Sequence, residues 1–183
     1  MKLILSLAIF FFAVIIHEYA HGWVAWKRGD STARFMGRLT LNPLAHIDPI
    51  GTIGLPLFLL ITRSPVLFGW AKPVPVDFLN LNNPKKDMVL VGLAGPMANI
   101  IFAILLSFIL KIPFFNNNYM AFSIIASAVM ANLVLAVFNL LPIPPLDGSR
   151  VLMGLLPYNL SVEYSKFEPY GFLIIFACSG LAQ

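Results

Sequence analysis

The first 26 residues contain the feature that most restricts the fold of this chain. Residues 3–26 form an apolar run with the roughly 20 residues that a helix needs to cross the hydrocarbon of a bilayer. His17, Glu18 and His21 interrupt this run near its end. Ionisable groups at membrane depth are costly unless they pair with one another or face protein or water. The segment therefore predicts a membrane helix that belongs to a bundle and that presents a polar face to partners elsewhere in the chain.

The composition agrees with a membrane protein. The chain has 183 residues, of which 59% are hydrophobic and 11% charged, whereas soluble domains carry about 25% charged residues. The length predicts a single membrane-embedded domain over residues 1–183. A cleaved signal peptide is the alternative interpretation of the N-terminus, but further apolar runs follow and no small-residue cleavage site is evident.

Two more apolar runs, at residues 88–110 and 119–141, are long enough to cross the bilayer, and a partial run occupies residues 170–183. The run at 50–70 is ambiguous because Pro56, Arg63 and Pro65 break it. We predict an all-α polytopic membrane protein with a three-helix core, a C-terminal helix, and a re-entrant or extended segment at about 47–78.

The distribution of basic residues predicts the topology. If residues 50–70 form a re-entrant hairpin rather than a crossing, ten of the twelve basic residues fall on one side, which predicts that side to be cytoplasmic and the N-terminus to be outside. This side receives Lys27, Arg28, Arg34, Arg38, Arg63, Lys72, Lys85, Lys86, Arg150 and Lys166, and the other receives Lys2 and Lys111. The net charge of +4 is thus explained by membrane topology, and no nucleic-acid partner is predicted.

The interrupting residues form the pattern H-E-x-x-H. On a helix, His17 and His21 lie one turn apart on the same face and can bind one metal ion. Glu18 is rotated by about 100° from His17 and can take a proton from a water at the metal. The alternative is a pair of polar residues that face the protein interior.

A catalytic zinc site needs a third protein ligand and an open position, and Asp147 is the candidate. It follows Pro142, Pro144 and Pro145, which interrupt the helix after the third span. The second and third spans separate His21 from Asp147. Two crossings return the chain to the side of the membrane on which the first span ends, so Asp147 lies on the same side as His21. An ordinary surface turn is the alternative interpretation of this Pro-rich Asp-Gly stretch.

Several motifs in order resemble those of the site-2 proteases, which are intramembrane zinc metalloproteases, and in particular the compact prokaryotic branch without a PDZ domain. The matching stretches are HEYAHGWVAWKRGD, GRLTLNPLAHIDPIGT, FGWAKPVPV, GLAGPMAN and NLLPIPPLDGSR. The resemblance implies one Zn²⁺ ion held by His17, His21 and Asp147, with Glu18 as general base. It also implies that the three-helix core is the catalytic core and carries these residues. Ser149 departs from the pattern, because relatives of this branch commonly have a second glycine there.

Other polar residues are weaker candidates. Asn99, about halfway along the second span, could bind substrate or an oxyanion, or could form an interhelical hydrogen bond. Asn132 and Asn139 share a face of the third span, and Asn139 is the better candidate for a catalytic role. His46 could assist at the site, or could order its loop together with Asp48.

The stretch AKPVPVDF is predicted to be extended because its prolines exclude a helix. Val74 and Val76 keep N–H groups that could pair with a substrate strand, and a plain surface loop is the alternative.

The predicted function is hydrolysis of peptide bonds in or near transmembrane segments, in the cell membrane and toward its cytoplasmic side. The resemblance implies regulated intramembrane proteolysis, with a transmembrane protein or peptide as substrate. Two alternatives remain at this point. A metal or proton transporter would also place His, Glu and Asp in a membrane, although it usually shows inverted repeats. A catalytically inactive relative that binds membrane segments would have no need of Glu18.

Overall fold

A computed structural model describes residues 2–64 and 69–171 of the chain. Within these ranges all of the regular secondary structure is helical, and no β-strand is present. The helices are α1 (Lys2–Lys27), α2 (Thr32–Phe35), α3 (Leu55–Ile61), α4 (Pro84–Ile109), α5 (Pro113–Asn116), α6 (Tyr119–Asn139), α7 (Asp147–Leu155) and α8 (Tyr158–Ser165). The predicted partial span at 170–183 lies outside the described residues, apart from its first two.

Three of the described helices, α1, α4 and α6, are long and apolar enough to cross a membrane. The sequence placed them correctly to within a few residues, and the largest difference is that α4 begins at Pro84 rather than at residue 88. The prolyl ring suits the first turn of a helix, where the missing N–H has no partner to lose. The predicted all-α polytopic fold with a three-helix core is confirmed.

Helix α4 packs against α1, α6 and α7, and polar contacts mark its alignment with the two other long helices. Near one end Arg28, just after α1, lies 3.8 Å from Asp87 in the first turn of α4. Deeper in the bundle, Asn99 of α4 bonds to His17 of α1 and to Asn132 of α6. Arg28, at the end of α1, contacts Asp87 at the start of α4, whereas His17, earlier in α1, contacts Asn99 later in α4. Helices α1 and α4 therefore run antiparallel. The outward faces carry large exposed apolar side chains, as expected for a bundle surrounded by lipid.

The chain between α1 and α4 leaves and rejoins the bundle at the same end. The Asn82 N–H donates to the Arg28 carbonyl at 2.8 Å, so residues 28–82 make no net crossing. Within this segment a helical stretch over Pro49–Ile61, which begins with a π-helical turn, is about 20 Å long and too short to span about 30 Å of hydrocarbon.

This short stretch is one arm of a hairpin. The Trp70 N–H donates to the Gly51 carbonyl and the Thr52 hydroxyl donates to the Trp70 carbonyl, at 3.1 and 2.8 Å. A Cβ atom on Gly51 would lie 2.2 Å from the Trp70 indole, so glycine is what allows this close return. The outward residues of α3 are strongly exposed and apolar. These contacts fit the re-entrant hairpin predicted from the charges.

Residues 69–77 then run without regular secondary structure across the end of α1. Arg38 donates to the Lys72 and Pro73 carbonyls, and the Asp30 carboxylate accepts the Asp77 N–H at 2.8 Å. The segment is therefore attached at both ends to the region just after α1. We refer to residues 71–77 as the extended segment.

After α6 the chain turns through Pro142, Pro144 and Pro145 and enters α7 at Asp147. Helix α7 packs on α4, and its first turn lies so close to the end of α6 that a Cβ atom on Gly148 would lie 2.2 Å from the Leu140 carbonyl oxygen. Gly148 therefore serves this close approach of α7 to the end of α6. Ser149 is buried, and its hydroxyl donates to the Leu146 carbonyl at 2.6 Å, so a serine is accommodated at this position.

Candidate metal centre

Two imidazoles of α1 are oriented by hydrogen bonds to α4. The Nδ1 atom of His17 lies 2.6 Å from the Asn99 side-chain oxygen, and Nδ1 of His21 lies 2.7 Å from the Val91 carbonyl oxygen. Because both partners are acceptors, each imidazole carries its proton on Nδ1 when neutral. The Nε2 atoms of both rings are thereby left as lone-pair donors that point in a common direction.

A glycine on α4 makes space for the two rings. A Cβ atom on Gly95 would lie 2.3 Å from Nε2 of His21 and 2.6 Å from Nε2 of His17. Such distances are far below van der Waals contact, so any larger residue would displace the imidazoles. The pair of rings, with centroids 4.6 Å apart, thus fits a recess in α4 that only glycine leaves open.

Asp147 completes the group from α7. Its Oδ2 atom lies 2.8 Å from Nε2 of His17 and 3.1 Å from Nε2 of His21. The two Nε2 atoms and this oxygen therefore face one point, and a carboxylate binds a metal there in its ionised form.

The three candidate ligand atoms lie within 4.8 Å of one another. Two imidazole nitrogens and one carboxylate oxygen form a donor set typical of catalytic zinc, which leaves a fourth position open. The orienting bonds to Nδ1 are what metal-binding histidines generally show. His17, His21 and Asp147 thus fit a zinc ion by donor type, by orientation and by the recess beside Gly95.

Glu18 lies beside this group on α1 and is half-buried. Its Oε2 atom accepts the backbone N–H of Val74 at 2.7 Å. The sequence suggested that this N–H was available to a substrate strand, whereas in the structure it is bonded to Glu18. The backbone N–H of Val76 has no hydrogen-bond partner among the residues that the structure describes.

The weaker candidate residues differ in how close they lie to the three candidate metal ligands. Asn99 is fully buried, and its amide donates to the Ala13 carbonyl and the Asn132 side chain at 3.1 and 2.7 Å while its oxygen holds His17. Both of its N–H groups are used, so the interhelical bond is the role that the structure shows. Asn139 is partly exposed and donates to the Leu135 carbonyl of its own helix.

His46 is fully buried away from the group of three candidate ligands. Its Nε2 lies 2.8 Å from the Thr40 carbonyl oxygen and its own carbonyl accepts the Lys72 N–H. Asp48 instead accepts the N–H groups of Ile50 and Gly51. Both residues order this loop, as one of the alternatives held, although no hydrogen bond joins them within the described ranges.

The sequence did not identify Val91 and Gly95 as parts of the site, and it offered the Val74 N–H to a substrate strand rather than to Glu18. A backbone carbonyl and a backbone N–H have no sequence signature, because every residue except proline carries both. In the sequence, Gly95 stands out only as part of the stretch GLAGPMAN. Its role as a recess depends on which face of α4 meets α1, and that is decided by packing.

Comparison with known proteins identifies the relatives of this chain. The model of "Peptidase family M50" matches residues 116–179. "Putative zinc metalloprotease YwhC" of Bacillus subtilis is 42% identical over 166 residues, which cover 87% of this chain and 72% of that protein. The chain belongs to peptidase family M50.

More distant relatives agree. "Putative zinc metalloprotease Rip2" of Mycolicibacterium smegmatis is 30% identical over 94% of this chain and 65% of its own length. "Zinc metalloprotease MJ0392" of Methanocaldococcus jannaschii is 26% identical over 80% of this chain and 32% of its own length. No solved structure matches the chain significantly.

Membership in family M50 confirms the resemblance inferred from the motifs. The protein is a zinc metalloprotease by family, with Zn²⁺ as its cofactor, and its three long apolar helices make it a membrane protein. The family therefore decides between a protease and a transporter in favour of the protease.

Proposed function

We propose that this family M50 protein hydrolyses peptide bonds in or near the transmembrane segments of other membrane proteins. The observation that carries the proposal is the convergence of His17, His21 and Asp147 on one point, with Glu18 beside them, on a helix that can cross a bilayer. The proposed zinc ligands are these two histidines and the aspartate, and the proposed general base is Glu18.

The residues of the chain would share the work as follows. When bound, zinc supplies a Lewis acid that polarises a carbonyl and acidifies a water. Glu18 takes the proton of the attacking water and returns it to the leaving amine, so that the nitrogen departs as a neutral group. Asn99 and the Val91 carbonyl keep the two imidazoles aimed at the metal position. Asn139 is the remaining candidate for a contact to the substrate carbonyl.

The proposed location is the cytoplasmic side of the cell membrane. The end of α1 that is nearest the site carries Trp26, with Lys27 and Arg34 at 4.5 and 4.8 Å from its ring centroid. Tryptophan and basic residues of this kind are typical of a cytoplasmic membrane boundary. His17 lies about 14 Å along the helix from Trp26, so hydrolysis would take place inside the membrane zone. A substrate helix must unwind locally, because its peptide bonds are shielded by their own hydrogen bonds.

The test uses the full chain in detergent with a panel of single-span substrates, and reads the products by mass spectrometry. Glu18→Gln protein and a chelated sample run alongside. We expect cuts within the spans that disappear in both controls. Cleavage that persists in Glu18→Gln would contradict the proposed base. If the protein binds a full equivalent of zinc but cuts none of the substrates, the result would instead favour a relative that binds membrane segments without cutting them.

A further inference from the structure

The contact between Glu18 and the extended segment is not required by the metal centre, yet it is one of the short hydrogen bonds of the site. The Val74 N–H donates to Oε2 of Glu18 at 2.7 Å, across 56 residues of sequence. Hydrogen bonds to a charged acceptor are about twice as strong as neutral ones. This contact therefore joins the proposed base to a part of the chain that contributes no metal ligand.

The local sequence leaves a single donor at this place. Pro73 and Pro75 have no N–H, so Val74 carries the only backbone donor among these three residues. The prolines also hold the backbone extended, since each fixes its own φ and restricts the residue before it. The Val74 N–H is thus presented by a stiff piece of chain.

The extended segment is held against α1 on both sides of this donor. Arg38 binds the Lys72 and Pro73 carbonyls at 2.8 and 3.2 Å, and Asp30 binds the Asp77 N–H at 2.8 Å. Asp30 and Arg38 are themselves buried. The donor position therefore does not depend on Glu18 alone.

Packing adds to these bonds. Val74 is only 7% exposed and lies over Gly22, one helical turn after Glu18. A Cβ atom on Gly22 would lie 2.7 Å from Cγ1 of Val74, so the absence of a side chain at residue 22 is what lets the segment approach α1.

We propose that the backbone N–H of Val74 is a positioning group for Glu18, holding one carboxylate oxygen so that the other is aimed at the attacking water. No second hydrogen bond to the Glu18 carboxylate is present among the described residues, which leaves Oε1 for the proton. The inference rests on the proposed role of Glu18 as base. It makes Val74 a positioning residue, whose effect is on the chemical step.

A first experiment measures the bond itself without any catalysis. Since Pro73 and Pro75 have no amide proton, Val74 is the only exchangeable backbone site in residues 73–75, and overlapping peptic fragments isolate its hydrogen exchange. In the full chain in detergent, Glu18→Ala should speed exchange at Val74 at least about tenfold. The Asp77 amide, which is bonded to Asp30, is the internal control and should be unchanged. Equal rates at Val74 in both proteins would overturn the proposal.

A second experiment separates the N–H from the side chain. Val74→Ala keeps the N–H donor but loses packing on Gly22, and Val74→Pro loses both. Val76→Pro is the control, because it places the same new ring two residues away, where the N–H has no partner within the described residues. With a single-span peptide that the wild type cuts, we expect Val74→Pro to lower kcat about 10- to 100-fold relative to Val74→Ala. KM and zinc per chain should stay within about twofold. In Val76→Pro the kcat should also stay within about twofold, since the loss of a substrate contact at the Val76 N–H would change KM alone.

The outcomes distinguish this inference from the proposed function. Activity in Glu18→Gln would overturn the general base and with it the role of Val74. Loss of activity in Glu18→Gln together with equal kcat values for Val74→Pro and Val74→Ala would overturn the positioning role alone. An equal fall in Val76→Pro would also overturn it, because any added proline would then act by disturbing the segment. If no peptide is cut, hydrogen exchange still decides whether the bond exists.

Discussion

Asp30 and Asp147 differ in how completely their carboxylates are satisfied by hydrogen bonds. Asp30 is fully buried, and both of its oxygens accept hydrogen bonds, from the N–H and hydroxyl of Thr32, the Asp77 N–H and the Asn80 amide. Asp147 has a side chain that is 20% exposed, and only its Oδ2 is bonded among the described residues, to two imidazoles. The saturated carboxylate holds the fold together, whereas the unsaturated one is available to a metal.

The first and largest effect should come from the available carboxylate. Asp147→Asn removes the negative charge and a strong oxygen ligand while keeping the size of the side chain. We expect cleavage to fall about 10³-fold or more and zinc to be lost, with little change in helix content. Elemental analysis of zinc per chain and peptide cleavage check this. Full zinc occupancy in Asp147→Asn would break the distinction between the two aspartates.

The next effect concerns the hydrogen bonds that orient the candidate ligands, and it is measured as a change in the affinity for zinc. Asn99→Ala leaves Nδ1 of His17 without its acceptor, and the affinity for zinc should fall about 10- to 100-fold. Competition with a zinc chelator measures this. Asn132→Ala, which removes an acceptor from Asn99 only, is the matched control and should change the affinity less. The opposite order would mean that Asn99 does not act through His17.

A smaller effect is expected at the saturated carboxylate. Asp30→Asn weakens the charged hydrogen bonds to Thr32 and Asp77, and should lower the free energy of unfolding by about 1–3 kcal/mol. Zinc per chain should remain unchanged, because Asp30 does not contact the group of candidate ligands. Thermal melts in detergent and metal analysis check both statements. Loss of zinc without loss of stability would reverse the roles assigned to Asp30 and Asp147.

The smallest effect should appear in acid. Burial raises the pKa of the Asp30 carboxyl, but the hydrogen bonds from Thr32, Asp77 and Asn80 outweigh it and hold the pKa below its ordinary value of 3.8. Because the folded pKa lies below the unfolded one, the contribution to stability is complete well above pH 3.8 and is lost as the pH falls through the folded pKa.

The melting temperatures of wild type and Asp30→Asn should therefore converge as the pH falls from neutrality to below this value. Melts over a pH series, with Asp77→Asn as a control for an exposed carboxylate, check the convergence. A difference that is constant with pH would mean that the charge of Asp30 does not contribute to stability.

Much of the molecule follows from local patterns. The three spans could be located from the length of their apolar runs, and His17 and His21 could be paired because a four-residue spacing on a helix has one geometric outcome. The charge distribution also separated a hairpin from a crossing at 50–70. Helices α7 and α8 were not predicted, because short helices stabilised by packing on a neighbour leave only a weak pattern in the sequence.

The sequence by itself determined a membrane bundle, and it predicted a metal-binding pair of histidines with a candidate general base beside them, since each depends on composition or on spacing along one helix. Asp147 could be proposed as their partner only through a count of crossings. The tertiary structure alone decided that Gly95 leaves space for the rings, that Asn99 and Val91 orient them, and that Val74 binds Glu18. The hydrogen bonds among these contacts join residues that are 56 to 82 positions apart in the sequence. Residues so far apart in the sequence come into contact only when the helices pack.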